Sequence, residues 1–567
     1  MNSPNASVGS LDWTIIAAYL LGVVGLGVAA GFARRRGERG GEGGHYFLAG
    51  NTLTWPVIGL AMFAANISTV HLVSLAEAAY KFGLVFGNFE WMASLTLVLL
   101  SLFFAPLYLR SRVATLPDFL ERRFNRGCRD VLSVVSLFSA LVIHMGVALY
   151  TAAWVLRGIL GLAPGAKLLG VDALMLFIVV LGLLTGLYTM LGGLLAVVWT
   201  ESVQTVLLLI GALVITIAGY HQVGGWTALQ QTLATHPHPL AAVPGSGVTW
   251  GTSSFLNMAR PAGDPSGLAW YSILLGYPVL GIWYWCCDQT IVQRVLAARD
   301  ERQARLGPLF CAFLKILPVF LFVLPGVIGV ALVQQGAWGG QGPAAAADTY
   351  TFLVTHLLPV GLKGLVVAAM LAAAMQTCSA ALNSTATLVA YDLCRRHRPD
   401  LSDHTLVRIG KVTTVLGTVL AIVSSPLFGH YTTIFEGINK LISYVAPPIT
   451  AVFLAGVFWR RASGRAALIT LLAGMALGLV AFVVDWNGIY RGDFMLIAFD
   501  LLIVCLAVMI LGSIWFPEPL KPEAVALVWT DWREPLRGEP GGRGLGNYRV
   551  AAGVVIGLFV VLYVMFR

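Results

Sequence analysis

Runs of about twenty apolar residues, separated by short polar connections, recur from one end of the chain to the other. At 1.5 Å of rise per residue, a helix of that length crosses a hydrocarbon core roughly 30 Å thick. Fourteen such windows are read, near residues 12–33, 54–80, 84–108, 132–162, 168–192, 198–220, 266–293, 307–334, 351–392, 405–426, 431–458, 466–485, 493–516 and 548–567. The pattern predicts an all-α polytopic membrane protein, with residues 1–567 forming a single membrane domain. The first window follows eleven residues without Lys or Arg, so it is read as a retained helix rather than a cleaved leader.

Composition sharpens this picture. Hydrophobic residues make up 58% of the 567 residues and charged residues only 11%, against about 25% charged in soluble domains. Mean hydropathy is +0.81. There is too little polar surface to cover a water-soluble globule, and a disordered chain or a soluble enzyme with one anchor is excluded for the same reason. A transporter, a channel, a membrane-embedded enzyme and a sensor remain.

The net charge of +9 invites a nucleic-acid reading, and the placement of the basic residues removes it. Of 36 Lys and Arg, 27 lie in six loops, at 34–53, 109–131, 294–306, 393–411, 459–465 and 517–549. If the fourteen spans alternate, all six loops share one side, which the positive-inside rule makes cytoplasmic, and both termini lie outside. The seven cysteines fall in spans or on that cytoplasmic side, where they form no extracellular staple. The longest outside segment, about 221–265, contains His236-Pro237-His238 without an acidic or Cys partner, a poor metal site.

Ionisable side chains at membrane depth cost at least about 2.5–3.5 kcal/mol each on insertion scales, so those inside spans are functional candidates by default. They are Glu77, Glu90, Glu201, Asp288, Lys315, Asp392, Glu436 and Lys440. Glu90 and Lys315 stand out because apolar neighbours flank them. Asn66-Ile67-Ser68-Thr69 interrupts the second span with residues that favour caps and turns. A break there would free carbonyls that coordinate Na⁺ in transporters. The seventh span carries Gly276-Tyr277-Pro278 and Gly281, where a second interruption is expected. Interrupted helices five spans apart suit two inverted five-helix repeats.

Several motifs then occur in an order that is similar to a known family. They include Tyr46-Phe47-Leu48-Ala49-Gly50, Ala64-Ala65-Asn66-Ile67-Ser68, Phe89-Glu90-Trp91, Thr115-Leu116-Pro117-Asp118-Phe119-Leu120 and Thr200-Glu201 with Gln204. The strongest are Trp283-Tyr284-Trp285-Cys286-Cys287-Asp288-Gln289 with Val292-Gln293-Arg294, then Leu382-Asn383-Ser384 and Tyr444-Val445-Ala446-Pro447-Pro448. From residue 12 to its last helix the chain resembles the solute:sodium symporter family, on its sodium/glucose cotransporter branch. The resemblance implies a leucine-transporter-type core whose repeats, 54–220 and 266–458, each begin with a broken helix. An extra helix at 12–33 precedes the core and peripheral helices at 466–567 follow it. It also implies a multi-pass protein of the plasma membrane that imports a monosaccharide or polyol with Na⁺ by alternating access.

Carried over position by position, the resemblance implies a sodium site made by the carbonyls of Ala64, Ile67 and Ala373 and the hydroxyl of Thr377. Gln376 stands where the family usually has Ser. Glu201 resembles an acidic position linked to a second sodium in some members. The sugar would meet Asn66, His71, Glu90, Tyr284, Trp285, Lys315 and Asn439, with Tyr284 also acting as the gate toward the cytoplasm. Gly281 replaces a usual polar residue and Asn439 a usual Gln, which suggests a roomier pocket. Symport of another small organic solute, or a non-transporting sugar sensor that leaks ions, are the alternatives. An enzyme is not expected, because the spans hold no nucleophile, acid and His constellation.

Overall fold

The computed structural model describes residues 9–36, 46–235, 255–264, 266–430, 434–489, 493–537 and 542–567. His236 and His238 lie outside them, as does the side chain of Glu436. The longer helices are α1 (Ser10–Arg36), α2 (Trp55–Asn66), α3 (Thr69–Phe82), α4 (Asn88–Leu99), α5 (Arg126–Phe138) and α6 (Val147–Ile159). They continue as α7 (Ala173–Val223), α8 (Trp270–Ile282), α9 (Gln289–Leu296), α10 (Glu301–Leu314) and α11 (Leu324–Gln334). The C-terminal part comprises α12 (Leu362–Leu388), α13 (Asp403–Ser424), α14 (Ile434–Phe458), α15 (Gly464–Trp486), α16 (Phe494–Trp515) and α17 (Tyr548–Met565). Strands are confined to a hairpin of Lys167–Leu168 against Val171–Asp172 among the described residues.

Eleven helical runs among the described residues are long and apolar enough to cross a membrane, joined by the shorter apolar stretches Ser10–Leu26 and Trp55–Asn66. The second and seventh expected spans are each split into two helical segments, at Ile67-Ser68 and at Asp288. Burial separates centre from periphery. The apolar window of α12, extended to Arg395, is 94% buried, whereas those of α15, α16 and α17 are 28%, 28% and 17% buried. Helix α12 therefore runs through the middle of the protein, and the last three present most of their surface to lipid.

The 51-residue run α7 is two spans joined at Gly193, whose φ of 64° and ψ of −168° interrupt the helix. A Cβ there would sit 2.8 Å from the Tyr46 carbonyl oxygen, so only glycine accommodates both the angle and the contact.

The first expected interruption is present. Helix α2 ends at Asn66, Ile67 and Ser68 are extended, and α3 restarts at Thr69. The second is present but displaced. Gly276-Tyr277-Pro278 and Gly281 lie inside α8, which continues through them to Ile282. The helix then widens into a π-helical stretch at Trp283–Cys287 and ends at Asp288, with φ −87° and ψ 125°. Pro278 removes a single donor without ending the helix, and Gly276 serves a close approach to the Met495 carbonyl. The break forms at Asp288 because its carboxylate accepts the Thr290 amide at 2.7 Å and caps α9.

The two broken segments are joined reciprocally. Leu53, just before α2, exchanges backbone hydrogen bonds with Ala297 and Arg299, just after α9, at 3.2 and 3.0 Å. Leu84, just after α3, donates to the Phe255 carbonyl in the segment before α8 at 2.9 Å.

The six basic loops interlock on one face of the protein. Asn51 donates to the Leu296 carbonyl, and Arg110 reaches Glu301 and Glu534. Arg129 pairs with Asp392 at 2.6 Å and Arg396 with Asp130. Arg123 donates to the carbonyls of Gly456 and Trp459, each at 2.8 Å, and Lys521 to that of Phe124. The opposite face gathers Asp12 against Gly361, Arg260 against Phe82, and Met258 against Phe566. The start of the first helix and the end of the last thus lie on the side away from the basic loops.

Candidate substrate and ion site

The first break is built by a local exchange of partners. In a continuous helix the Ser68 amide would bond the Ala64 carbonyl. Here it donates to His71 Nδ1 at 3.2 Å, and the Ser68 side chain caps α3 in return. A neutral His71 that accepts at Nδ1 carries its proton at Nε2, which is left to donate elsewhere. Thr69 then donates to the Met370 carbonyl at 2.8 Å, fixing the break against α12.

Beside the break, Lys315 is the residue on which α10 ends. Its ammonium donates to Asn66 Oδ1 at 2.6 Å and to the Glu90 carboxylate. Both members of this ion pair are almost fully buried, with side-chain exposures of 1% and 3%. The Lys315 ammonium also lies 5.5 Å from the centre of the Trp285 ring. The three polar groups come from three helices, so the sequence distances between them are large, 225 and 249 positions.

These residues face a cavity of about 140 Å³, and all seven residues expected to meet a sugar line it: Asn66, His71, Glu90, Tyr284, Trp285, Lys315 and Asn439. Tyr284 and Trp285 lie in the π-helical stretch, edge to face at 5.1 Å. Both rings of this widened turn line the cavity, as is common for π turns at functional sites. Gly281 also lines the cavity. Glu90 and Lys315 are the charged side chains of the lining, and they neutralise each other. The wall is therefore largely apolar, with a few convergent polar groups whose one carboxylate and one ammonium cancel.

Ser68, Phe89, His144 and Tyr277 are among the further lining residues, and none of them is an expected substrate contact from the sequence. His144 is the most informative. It sits in a second π-helical stretch, Ser139–Gly146, its ring stacks on Tyr284 at 5.8 Å, and its Nε2 lies 3.6 Å from Asp288. A lone histidine within an apolar span was the available signal, and it would have been read by extending the rule for buried charges to imidazole.

The residues expected at sodium divide. Thr377 lines the cavity, and its hydroxyl makes only a long bond, 3.3 Å, to the Ala373 carbonyl. Ala64, Ile67 and Ala373 are buried along the contact between the break and α12. Gln376 is absent from the cavity lining; its Nε2 lies 3.4 Å from the Glu201 carbonyl and its buried Oε1 has no partner among the described residues. Carbonyl, hydroxyl and amide oxygens are the donor set a hard monovalent cation takes. Glu201 is fully buried and pairs with Arg294 at 2.6 Å. Arg294, counted among the basic loop residues, is therefore a buried counter-ion.

The other ionisable candidates are engaged away from the cavity. Glu77 pairs with Lys81, Asp392 with Arg129 and Thr115, and Lys440 with Asp485 at 3.5 Å.

A membrane-spanning bundle in which two discontinuous helices meet at a cavity with a few convergent polar groups has the construction of a secondary active transporter. The chain belongs to the sodium:solute symporter family, which it matches over residues 46–474, and sodium is its coupling ion. It is 34% identical over 495 residues to sodium/glucose cotransporter 2 of Rattus norvegicus, covering 84% of this chain and 72% of that protein. It is 31% identical over 567 residues to the sodium/mannose cotransporter of Bos taurus, covering 93% and 90% of the two chains. The fold is similar to that of a Na⁺-coupled sialic acid symporter solved in a substrate-bound, outward-open state. The TM-score is 0.73 at 20% identity, covering 90% of this chain and 99% of that one.

Proposed function

We propose that this transporter imports a neutral polyhydroxylated solute, a monosaccharide or a related cyclitol, across the plasma membrane together with Na⁺. The observation that carries the reading is the self-neutralised Glu90–Lys315 pair, joined to Asn66, in a cavity walled by Tyr284 and Trp285. A carboxylate accepts from adjacent hydroxyls, an ammonium and an imidazole N–H donate, and an amide does both. The two aromatic faces receive the C–H side of a ring. An anionic solute would meet Glu90 without a free guanidinium, and a cationic one would meet Lys315, so the absence of net charge favours a neutral substrate. Named relatives that carry glucose, mannose and myo-inositol support the same class.

Sodium binds where the α2–α3 break meets α12, through the Ala64, Ile67 and Ala373 carbonyls and the Thr377 hydroxyl, with Gln376 behind. Thr377 borders both the ion position and the cavity, which gives a direct route by which the ion and the sugar bias one conformation. The reciprocal backbone bonds of Leu53 and Leu84 support two inverted repeats, 54–220 and 266–458, within a fourteen-helix protein. The basic face is cytoplasmic and both termini are outside. One Na⁺ crossing about 100 mV supplies about 2.3 kcal/mol, enough to concentrate a neutral solute roughly 50-fold.

The test is uptake of labelled hexoses and inositol by proteoliposomes holding an inward Na⁺ gradient. At least one solute accumulates above equilibrium. Equal uptake with K⁺ or choline in place of Na⁺ refutes the coupling, and Na⁺ current without accumulation identifies a sensor that leaks ions.

A further inference from the structure

We infer that Tyr19, on the helix preceding the first broken helix, is a positioning residue for sodium. It holds in place the segment of α12 that carries Ala373, Gln376 and Thr377. The inference rests on the reading that these residues supply oxygens to the ion.

Helix α1 packs along both α7 and α12, and it is fastened at two levels. The first is the start of α12. That helix begins after Gly361, which has no side chain with which to cap it. Asp12 supplies the missing acceptor from α1: its Oδ1 takes the Gly361 and Gly364 amides at 2.6 and 2.7 Å, a carboxylate at a helix N-terminus. A Cβ on Gly364 would sit 2.5 Å from the Asp12 Cα, so the two backbones meet in direct contact.

The second level lies deeper, beside the ion position. The Tyr19 hydroxyl accepts from Gln204 Nε2 at 2.8 Å and lies 3.9 Å from the Met375 sulfur, to which it donates. Its donor and its acceptor are therefore both engaged, one with each neighbouring helix. Gln204 stands one turn after Glu201 on α7. Met375 immediately precedes Gln376 and Thr377, its carbonyl accepts from the Tyr188 hydroxyl at 3.1 Å, and its side chain packs with Val23 and Tyr188. The α12 segment at the ion position is thus located from behind by two phenols, one of which belongs to a helix outside the two expected repeats. Carbonyl geometry governs Na⁺ affinity, because each oxygen must stay close to its optimal distance. A loosened Met375 shifts the donors on either side of it.

Tyr19→Phe removes the hydroxyl and keeps the ring. In the full-length protein in proteoliposomes, half-saturating Na⁺ rises by about threefold to tenfold, because, of the two part-buried hydrogen bonds lost, the one to Met375 bears on the ion segment. Maximal uptake and the sugar KM, both measured at saturating Na⁺, stay at their original values, a split that a general packing defect would not produce. The Na⁺ midpoint for thermal stabilisation of the detergent-solubilised protein shifts by the same factor, which reports ion binding even where uptake is low. Thr377→Ala is run in parallel. If Thr377→Ala raises half-saturating Na⁺ and Tyr19→Phe leaves both Na⁺ readouts unchanged, the inference is overturned and the sodium site stands. If Thr377→Ala leaves them unchanged, the placement of the ion is overturned and the inference with it.

Discussion

Replacing Glu90 by Gln removes one charge from the cavity while preserving the size and shape of the side chain. In the native protein the carboxylate accepts from Lys315, which also holds Asn66 at 2.6 Å. With both charged groups at exposures of 3% or less, the pair has little water to replace a lost partner. Two effects follow. Lys315 becomes an uncompensated buried cation, and breaking such a pair costs about 3–5 kcal/mol at the upper end, less the share an amide oxygen still provides. Separately, a substrate hydroxyl loses a charge-assisted acceptor worth about 1.5–3 kcal/mol, which is about 10- to 150-fold in affinity. Initial rates of sugar uptake and equilibrium binding, both at saturating Na⁺, measure the second effect, while thermal unfolding reads the first. We expect the sugar KM to rise at least about tenfold. The double variant Glu90→Gln/Lys315→Gln should recover thermal stability without recovering affinity. A folded Glu90→Gln protein with native sugar affinity would remove Glu90 from the site and refute the reasoning.

Three other predictions concern separate parts of the protein. His144→Gln should change the ratio of KM values between sugars by about threefold to tenfold, since one neutral hydrogen bond is altered; identical losses for every sugar in competition uptake would argue against contact. Glu201→Gln strands Arg294 as a buried charge and should lower stability by about 3–5 kcal/mol. Stability should return in Glu201→Gln/Arg294→Gln, and native thermal unfolding of the single variant would show the pair to be dispensable. Arg123→Gln removes donors to the carbonyls at the end of α14 and should cost about 1–3 kcal/mol in stability, with uptake per folded molecule unchanged; a fall in specific uptake would contradict a purely structural role.

Much of the architecture was legible because lipid imposes strong, local requirements. A span needs about twenty apolar residues wherever it packs, and the break at Asn66-Ile67-Ser68 is closed locally by the capping exchange between Ser68 and His71. The second break lies at Asp288 and not at the expected Pro278, because a proline removes one donor without necessarily ending the helix. Asp288 ends α8 by capping α9, and that choice is made between two helix segments rather than within one. Arg294 was misread for a related reason. Proximity to a basic loop is visible in the chain, but a Glu201 partner 93 positions away is not.

The sequence by itself determined that this chain lives in a membrane, that its basic loops share one face, and where the second span breaks, since these follow from residues read in successive windows of about twenty positions. Only the tertiary structure decided that Glu90 and Lys315 cancel one another, that Glu201 is matched by Arg294, and that His144 joins Tyr284 at the cavity. Those outcomes depend on which helices become neighbours. A buried charge is defined by its partner, and in this protein the partners come from different helices.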